Sequence, residues 1–506
     1  MTDTQPIGNP QQAVDIMRHQ PVLVAGAGVA GRGVITMLEA IEAEHLTIAD
    51  DHSDLADVTV DVAIERLKVG DFQLVITSPG WAPTSPLLVA AAEKGVPVIG
   101  DIEAAWLADQ AEAFGPTRTW VAITGTNGKT TTTAMLTAMC VADGRAAVAV
   151  GNIGVSPALA LTAESRGEPR ADILVAEVSS FQLHWAPTFT PDVGCVLNIA
   201  EDHLDWHGDL AGYASDKARV LRAQHPVFSL DDAHVMSFFD SSRAAQCSGF
   251  TAGEVRAVLH QLDHDKSGAQ GEQRDHAKPS TQGGALPLVP RVVGLDDGSI
   301  ALADTREERE VRALAPAAGI SPPGPAGIAD ASAAAAMACA LGVAPSAIQQ
   351  ALSTFRVQAH RGQVVCERDG ITWVDNSKAT NPHAAVGALR GQSNVIWVAG
   401  GQLKGASVAE LIAGTKEGIK AVVALGVDRQ KIADEMQAQV PGIPVTLVGQ
   451  TDPERAMQEV VRACLHYAEA GDTVVLAPAA ASLDMFTGMA QRGDLFAQYA
   501  AQVELS

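Results

Sequence analysis

The sequence predicts an α/β chain of three domains built on parallel sheets, and three observations carry that expectation. At about 150 residues per domain, 506 residues suffice for three domains, each with its own core. Short apolar runs alternate with helical patterns in three successive sets, as βαβ units require. The first two sets also open on a strand followed by a glycine-containing turn and a helix, an arrangement that holds phosphate groups.

The composition narrows the function. With 47% hydrophobic and 19% charged residues the chain is an ordinary globular protein rather than a disordered one. Lys plus Arg number 35 against 59 Asp plus Glu, a formal balance of −24. So acidic a surface repels a phosphodiester backbone and excludes general nucleic-acid binding, while leaving room for a local basic pocket. The polar start MTDTQPIGNPQQAVDIMRHQ has no apolar signal-peptide core, and the longest apolar tract, Ala333 to Leu341, is too short to span a bilayer. Cys140, Cys195, Cys247, Cys339, Cys366 and Cys464 are scattered singly, which fits buried thiols in a reducing compartment. A cytoplasmic protein without membrane insertion is expected.

In the first set, strands are expected at Pro21–Ala25, Leu46–Ala49, Leu74–Ile76 and Val96–Ile99, with a helix over Gly31–Ile41. The seam Ala113-Phe114-Gly115-Pro116 closes a first domain at 1–115. The second set has strands at Trp120–Ile123, Ile173–Val175 and Val193–Leu197, and helices over Thr132–Cys140 and Leu210–Arg222. Within it, 263–284 is polar and aperiodic and reads as a mobile surface insertion; His260, His264 and His276 read there as solvated residues rather than metal ligands. Pro322-Pro323-Gly324-Pro325 precedes a last helix, which places the second domain at 116–355. The third domain, 356–506, has strands at Ile371–Val374, Val395–Val398, Ala421–Ala424 and Thr473–Leu476.

The sharpest chemical signal is Thr124-Gly125-Thr126-Asn127-Gly128-Lys129-Thr130-Thr131, between a strand and a helix. Glycines let the backbone wrap an anion, Lys129 suits the β- and γ-phosphates, and the Thr130 hydroxyl suits Mg²⁺. The general GxxxxGK[ST] spacing needs glycine where Ile123 stands, so this is a tighter variant. Gly26-Ala27-Gly28-Val29-Ala30-Gly31, with Asp50 closing the next strand, is a GxGxxG turn. By itself it fits a nicotinamide dinucleotide, another nucleotide-linked ligand or a structural role.

Glu177 and the run Asn198-Ile199-Ala200-Glu201-Asp202-His203-Leu204-Asp205 follow apolar strands of the second set, where ligand crevices form. His203 and His207 have i,i+4 spacing, but no third ligand supports a zinc site. Lys217, on a helix, reads from the residues alone as a solvated lysine. In the third set, His360-Arg361, 375–381, 400–404 and 478–484 are polar clusters past strand ends; together they suggest an anion crevice, while singly each reads equally as a loop.

Taken together, TGTNGKT, GNIG at 151–154, EVSSFQL at 177–183, NIAEDHLDWHG, the HR pair and DNSKATN resemble the Mur ligase family from about Val22 to Phe496. DNSKATN points to the branch that adds D-glutamate. The resemblance implies a Rossmann-like first domain holding UDP, a central P-loop ATPase-type α/β domain holding ATP, and a Rossmann-like C-terminal domain bringing the amino acid. It implies a monomer that joins D-glutamate to UDP-N-acetylmuramoyl-L-alanine through an acyl phosphate, in the cytoplasmic stage of peptidoglycan synthesis. The implied cofactors are ATP, two Mg²⁺ ions and a CO₂-derived carbamate on Lys217.

By the same resemblance, Gly125, Thr126, Asn127, Gly128, Lys129, Thr130, Thr131, Arg361 and Asn376 bind ATP, while Thr130, Glu177, His203 and Lys217 hold the metal. Gly28, Val29, Ala30, Asp50, Ser78, Asn152 and Ser179 face the UDP-linked substrate. Thr380, Lys404 and Ser482 hold D-glutamate, and Lys129, His203, Lys217 and Lys378 act at the reacting centre. The chain departs from the family pattern in four places. Gly324-Pro325-Ala326-Gly327 replaces GxHN, and Asn376 stands where an acidic residue is usual, with Asp375 beside it. Asp51-His52 follow Asp50 where arginine is frequent, and Met489 replaces an aromatic. A nicotinamide oxidoreductase or a P-loop regulator leaves most of these motifs unexplained; a sister Mur ligase is the nearer alternative.

Overall fold

The computed structural model describes residues 7–268, 289–305, 310–357, 359–390 and 392–502. The chain forms two compact units, Met1–Ala315 with Ser332–Ala351, and Pro316–Ala331 with Leu352–Ser506. The mixed α/β expectation holds: among the described residues there are three sheets, of four, nine and six strands.

The first unit contains two of them. The four-stranded parallel sheet is ordered Leu46–Ala49, Val22–Ala25, Leu74–Thr77, Val98–Gly100. All four residues of Val22–Ala25 are buried, because helices cover both faces of such a sheet and the strand reads as a continuous apolar run. The second sheet is ordered Val311–Pro316, Ser299–Asp304, Arg291–Asp296, Ser248–Glu254, His225–Ser229, Val193–Val196, Thr119–Thr124, Ile173–Glu177, Ala147–Gly151. From Ser248–Glu254 to Ala147–Gly151 its pairs are parallel. Arg291–Asp296 and Ser299–Asp304 add an antiparallel hairpin on the far side.

The two sheets of this unit share one apolar core, in which Met37, Leu38 and Ile102 cluster with Trp120, Phe189 and Leu174. Phe189 meets both Trp106 and Trp120 edge-on, at centroid distances of 5.9 and 5.8 Å. The seam at 113–116 is spanned by a buried ion pair, Arg118 Nη1 to Asp109 Oδ1 at 2.7 Å. Asp109 Oδ2 also accepts from the Arg118 backbone N–H and from Trp120 Nε1, both at 2.9 Å. Satisfying every oxygen offsets the desolvation that would otherwise make such a pair unfavourable.

The second unit carries the sheet Gln363–Arg368, Ile371–Asp375, Thr473–Leu476, Val395–Gly400, Ile419–Leu425, Val445–Leu447, parallel except for its first pair. Two apolar clusters flank it, one around Trp397 and Ile412, the other around Trp373, Val460 and Phe496.

Three expectations need correction. Residues 263–268 belong to the helix Val255–Gly268, so the polar segment begins helically; its remainder, with His276, lies outside the described residues. The six cysteines are free thiols, but Cys339 and Cys366 are partly exposed rather than buried. The helix expected over Leu210–Arg222 is α-helical over Leu210–Ala218 and tightens to a 3₁₀ turn over Arg219–Arg222. Among the described residues no helix is long and apolar enough to cross a membrane, and Ala333 to Ala338 are buried within the helix Pro325–Ala340.

Candidate active site

The phosphate loop leaves the strand Thr119–Thr124 and enters the helix Lys129–Ala142. Gly125 and Gly128 have φ of +156° and +83°, conformations that side-chain-bearing residues rarely adopt. Asn198, past the neighbouring strand, clamps the loop: its Oδ1 accepts from the Asn127 N–H at 2.8 Å, and its Nδ2 donates to the Asn127 carbonyl at 3.2 Å. The Thr126 hydroxyl lies 3.1 Å from the Tyr213 hydroxyl and accepts from the Ala200 N–H at 3.0 Å. Lys129 Nζ donates to the carbonyls of Gly125 and Thr126, both at 2.9 Å, and so curls over the loop it belongs to.

Beneath the loop, Thr130 Oγ1 donates to Glu177 Oε2 at 2.7 Å, and Asn152 Nδ2 donates to Glu177 Oε1 at 2.8 Å. Thr130 and Glu177 are both buried. They meet because their strands, Thr119–Thr124 and Ile173–Glu177, are adjacent and parallel, so their carboxyl ends open on one crevice. Hydroxyl and carboxylate oxygens gathered there are the donor type Mg²⁺ selects. Ser179 caps the helix Ser180–His184, its Oγ accepting from the Gln182 N–H at 3.2 Å.

Lys217 is buried, contrary to its reading from the bare sequence as a solvated lysine. Its Nζ donates to the Gly125 carbonyl at 2.8 Å and to Thr124 Oγ1 at 3.3 Å, and stands 4.7 Å from the Tyr213 ring centre. Burial first, then the nearby Lys129 ammonium, hold its pKa well below the ordinary lysine range. A signal was present: Leu210, Tyr213, Ala214 and Lys217 follow i, i+3, i+4, i+7 spacing, so the lysine lies on the inward stripe.

A buried polar group supports this helix. His207 Nδ1 and His184 Nδ1 lie 3.1 and 2.9 Å from Asp216 Oδ2, and Arg219 Nη2 lies 3.1 Å from Asp216 Oδ1. His207 Nε2 is 2.9 Å from Ser180 Oγ. His207 is thus a bridge between the Lys217 helix and the segment after Glu177, which its spacing from His203 did not indicate. His203 takes φ +53° at the start of Leu204–His207, is half exposed, and packs its ring 4.8 Å from Phe181.

In the first turn of the sheet around Val22–Ala25, Gly28 and Val29 are exposed and Ala30 is half-buried. A Cβ on Gly28 would meet nothing within 4 Å, whereas one on Gly31 would lie 1.9 Å from the Gly26 carbonyl oxygen. The turn is therefore open on its ligand side and closed against its own helix. Asp50 does not project freely: Oδ2 accepts from the Ala27 N–H and Oδ1 from the His52 N–H, both at 2.8 Å. These backbone bonds hold its carboxyl below the usual range. Ser78 Oγ donates to the Gly26 carbonyl at 3.0 Å.

In the second unit, Lys378 and Lys404 are exposed, Asn376, Thr380 and Arg361 are half-buried, and Ser482 is buried. Asp375 is not available beside Asn376. It is fully buried, with Oδ2 2.6 Å from His360 Nδ1 and Oδ1 accepting from the Ser377 N–H at 2.9 Å. Burial outweighs those bonds and raises its pKa. Arg492, which sequence reading passed over, is fully buried among these loops. It shares the inward stripe of its helix with Leu495, Phe496 and Tyr499, and that spacing was its signal.

The Mur ligase middle domain matches residues 123–277, and the Mur ligase glutamate ligase domain matches residues 360–480. The UDP-N-acetylmuramoylalanine–D-glutamate ligase of Corynebacterium jeikeium is 57% identical over 97% of this chain and 95% of its own length. The enzyme of that name from Corynebacterium diphtheriae is 48% identical over 95% of each, and that from Mycolicibacterium smegmatis 41% identical over 94% and 95%. Among solved structures, the MurF ligase of Thermotoga maritima in complex with ADP matches with a TM-score of 0.52 at 16% identity, over 97% of each chain. The UDP-N-acetylmuramate-alanine ligase of the same organism matches with a TM-score of 0.51 at 16% identity, over 96% of this chain and 100% of its own. These two likenesses concern the fold.

Proposed function

The chain belongs to the Mur ligase family, and on that premise we propose that it joins D-glutamate to UDP-N-acetylmuramoyl-L-alanine at the expense of ATP, a cytoplasmic step of peptidoglycan synthesis. The observation that carries the reaction class is the convergence of Lys129, the Thr130–Glu177 pair and the buried Lys217 on one phosphate loop. In this reading residues 1–115 receive the UDP-linked substrate, 116–355 the ATP and 356–506 the amino acid, and the protein works as a monomer.

The L-alanyl carboxylate attacks the γ-phosphorus of ATP; a P–O bond forms, the bond to the β-phosphate oxygen breaks, and ADP leaves. The amine of D-glutamate then attacks the acyl phosphate carbonyl and loses a proton, and the tetrahedral intermediate expels phosphate. An anion attacking a polyanion requires charge neutralisation more than a base. The backbone N–H groups of Gly125 to Thr131 cradle the phosphates, and Lys129 shifts from its own loop carbonyls to phosphate oxygens. Arg361 and Asn376 complete the ATP contacts from the third domain.

Thr130, Glu177, His203 and a carbamylated Lys217 would hold Mg²⁺, as two ions. When bound, the metal neutralises phosphate charge and polarises the transferring group. Lys217 suits carbamylation because burial favours its neutral amine. That amine adds to CO₂, forms an N–C bond and releases a proton, so a neutral side chain becomes an anionic oxygen donor. Asp50 and Ser78 shape the first-domain turn, and Gly28, Val29 and Ala30 present its backbone to UDP. Asn152 and Ser179 face the sugar–peptide portion. Thr380, Lys404 and Ser482 bind the D-glutamate carboxylates, with Lys378 at the reacting centre.

Phosphate release from ATP and Mg²⁺ with UDP-N-acetylmuramoyl-L-alanine, adding one amino acid at a time, tests this reading. Turnover that requires D-glutamate and ignores L-glutamate is expected. Turnover driven by another amino acid keeps the ligase chemistry and removes the D-glutamate assignment.

A further inference from the structure

Three loops of the second unit converge on one buried guanidinium. Arg492 lies in the first turn of the helix Met489–Gln502. Its Nε donates to Ser377 Oγ and its Nη2 to the Ser377 carbonyl, both at 2.9 Å. Its Nη1 donates to the Gly400 carbonyl at 3.3 Å and to the Ala480 carbonyl at 3.1 Å. Ser377 Oγ in turn donates to the Met489 carbonyl at 2.7 Å, tying the first loop to the start of the same helix. A few residues beyond each anchor stand Thr380, Lys404 and Ser482.

A guanidinium is expensive to bury, and among the described residues none of its hydrogen-bond partners here is a carboxylate. Desolvation draws its pKa down to about 10, opposed from a distance by the charges of Asp484 and Asp375. Methionine or leucine would fill this position on an apolar stripe without that penalty. What arginine adds is a rigid planar fork that reaches several acceptors at once. The loops need such an anchor: Lys404 and Ala479 sit at φ +52° and +59°, and non-glycine residues stay in that region only where their surroundings over-determine it. The direct links between the loops include a bridge between Gln402 and Ala481 and bonds from the Ala479 N–H to the Ala379 carbonyl and from the Gly400 N–H to the Pro478 carbonyl.

We propose that Arg492 is a positioning residue of the amino-acid subsite, setting the spacing of Thr380, Lys404 and Ser482 and placing a fixed positive charge behind them that favours a dicarboxylate ligand. The inference rests on the D-glutamate reading of that subsite. It touches no substrate atom itself; it acts through the three loops.

The test is steady-state phosphate release by the full-length Arg492→Lys variant, with each substrate varied in turn. Lysine keeps the charge and most of the stem, but a single ammonium cannot hold the same set of acceptors in one plane. The KM for D-glutamate is expected to rise about tenfold or more, while those for ATP and UDP-N-acetylmuramoyl-L-alanine stay within about twofold. Ser377→Ala removes one anchor and leaves the arginine; it is expected to raise the same constant by a smaller factor, and it carries the test if thermal unfolding shows that Arg492→Lys does not fold. An unchanged KM for D-glutamate, or an equal rise for all three substrates, overturns the inference. If the wild-type chain turns over without any need for D-glutamate, the reading of the subsite fails and the inference falls with it. If wild-type turnover needs D-glutamate and the variants leave its KM unmoved, the inference alone fails.

Discussion

Lys217 Nζ stands 2.8 Å from the carbonyl oxygen of Gly125, the glycine that opens the phosphate loop. A buried amine therefore reads the position of the loop directly, and a change in one is felt by the other. The nitrogen sits against a carbonyl, a hydroxyl and a ring, and it is burial, then the nearby Lys129 ammonium, that favours its neutral form.

Lys217→Ala is expected to lower turnover by about a hundredfold or more, as removal of a charge-stabilising group in a water-poor site does. Short-chain carboxylates, which can occupy the vacated space and supply an anionic oxygen, are expected to restore part of it. Phosphate release with and without added acetate measures this, and wild-type activity in the variant would discard the carbamate proposal.

Thr130→Val keeps the shape of the side chain and deletes the hydroxyl that meets Glu177. A buried carboxylate oxygen then loses its donor, at a cost of about 1–3 kcal/mol in stability, and ATP turnover is expected to fall steeply. Thr130→Ser is expected to retain most of both. Urea unfolding and phosphate release, run on the pair of variants, separate a hydroxyl requirement from simple packing.

Asp216 provides a structural prediction. Burial pushes its carboxyl upward, but hydrogen bonds with His184 and His207, together with the Arg219 charge, bring it down to about 2. Asp216→Asn leaves those partners without a counter-charge and is expected to cost about 3 kcal/mol. A loss below about 1 kcal/mol in chemical denaturation would show that this group does not hold the Lys217 helix.

The pH dependence of stability follows from two carboxyls in the first turn of the helix Asp101–Gln110. Burial pushes Asp101 from 3.8 up to about 6, against a hydrogen bond from Gln182, and Glu103 up to about 7, against bonds from Thr188 and Phe189. The folded state keeps protons that the unfolded chain has already released. The contribution of these groups is therefore intact near and below pH 4 and is lost as pH rises toward 7. Asp101→Asn keeps an acceptor for Gln182 and removes the ionisation. It is expected to gain up to about 3 kcal/mol over wild type at pH 7, the worth of roughly two pKa units, and to converge with it near pH 4. Unfolding measured at both pH values decides; a difference that does not change with pH contradicts the assignment.

Much of this was legible in the chain itself. Buried parallel strands read as continuous apolar runs, so Val22–Ala25, Thr119–Thr124, Ile173–Glu177 and Val395–Gly400 could be found within a residue or two. The antiparallel strands Arg291–Asp296, Ser299–Asp304 and Gln363–Arg368 are only half covered, carry mixed residues and left no comparable mark. The phosphate loop was also readable, because its function depends on backbone geometry that glycine and local spacing encode.

What the sequence determined by itself, then, was the set of elements and the loops that follow them, since hydrophobic period and glycine placement are local properties. Only the tertiary structure decided which polar side chains face ligand and which hold the frame. Asp50 bonds to backbone N–H groups, Asp375 is buried against His360, His207 braces Asp216, and Arg492 gathers three loops. A carboxylate or guanidinium carries the same letter in either role. Its partner, 9 residues away for His207 and 115 for Arg492, sets its burial and its charge, and folding brings the two together.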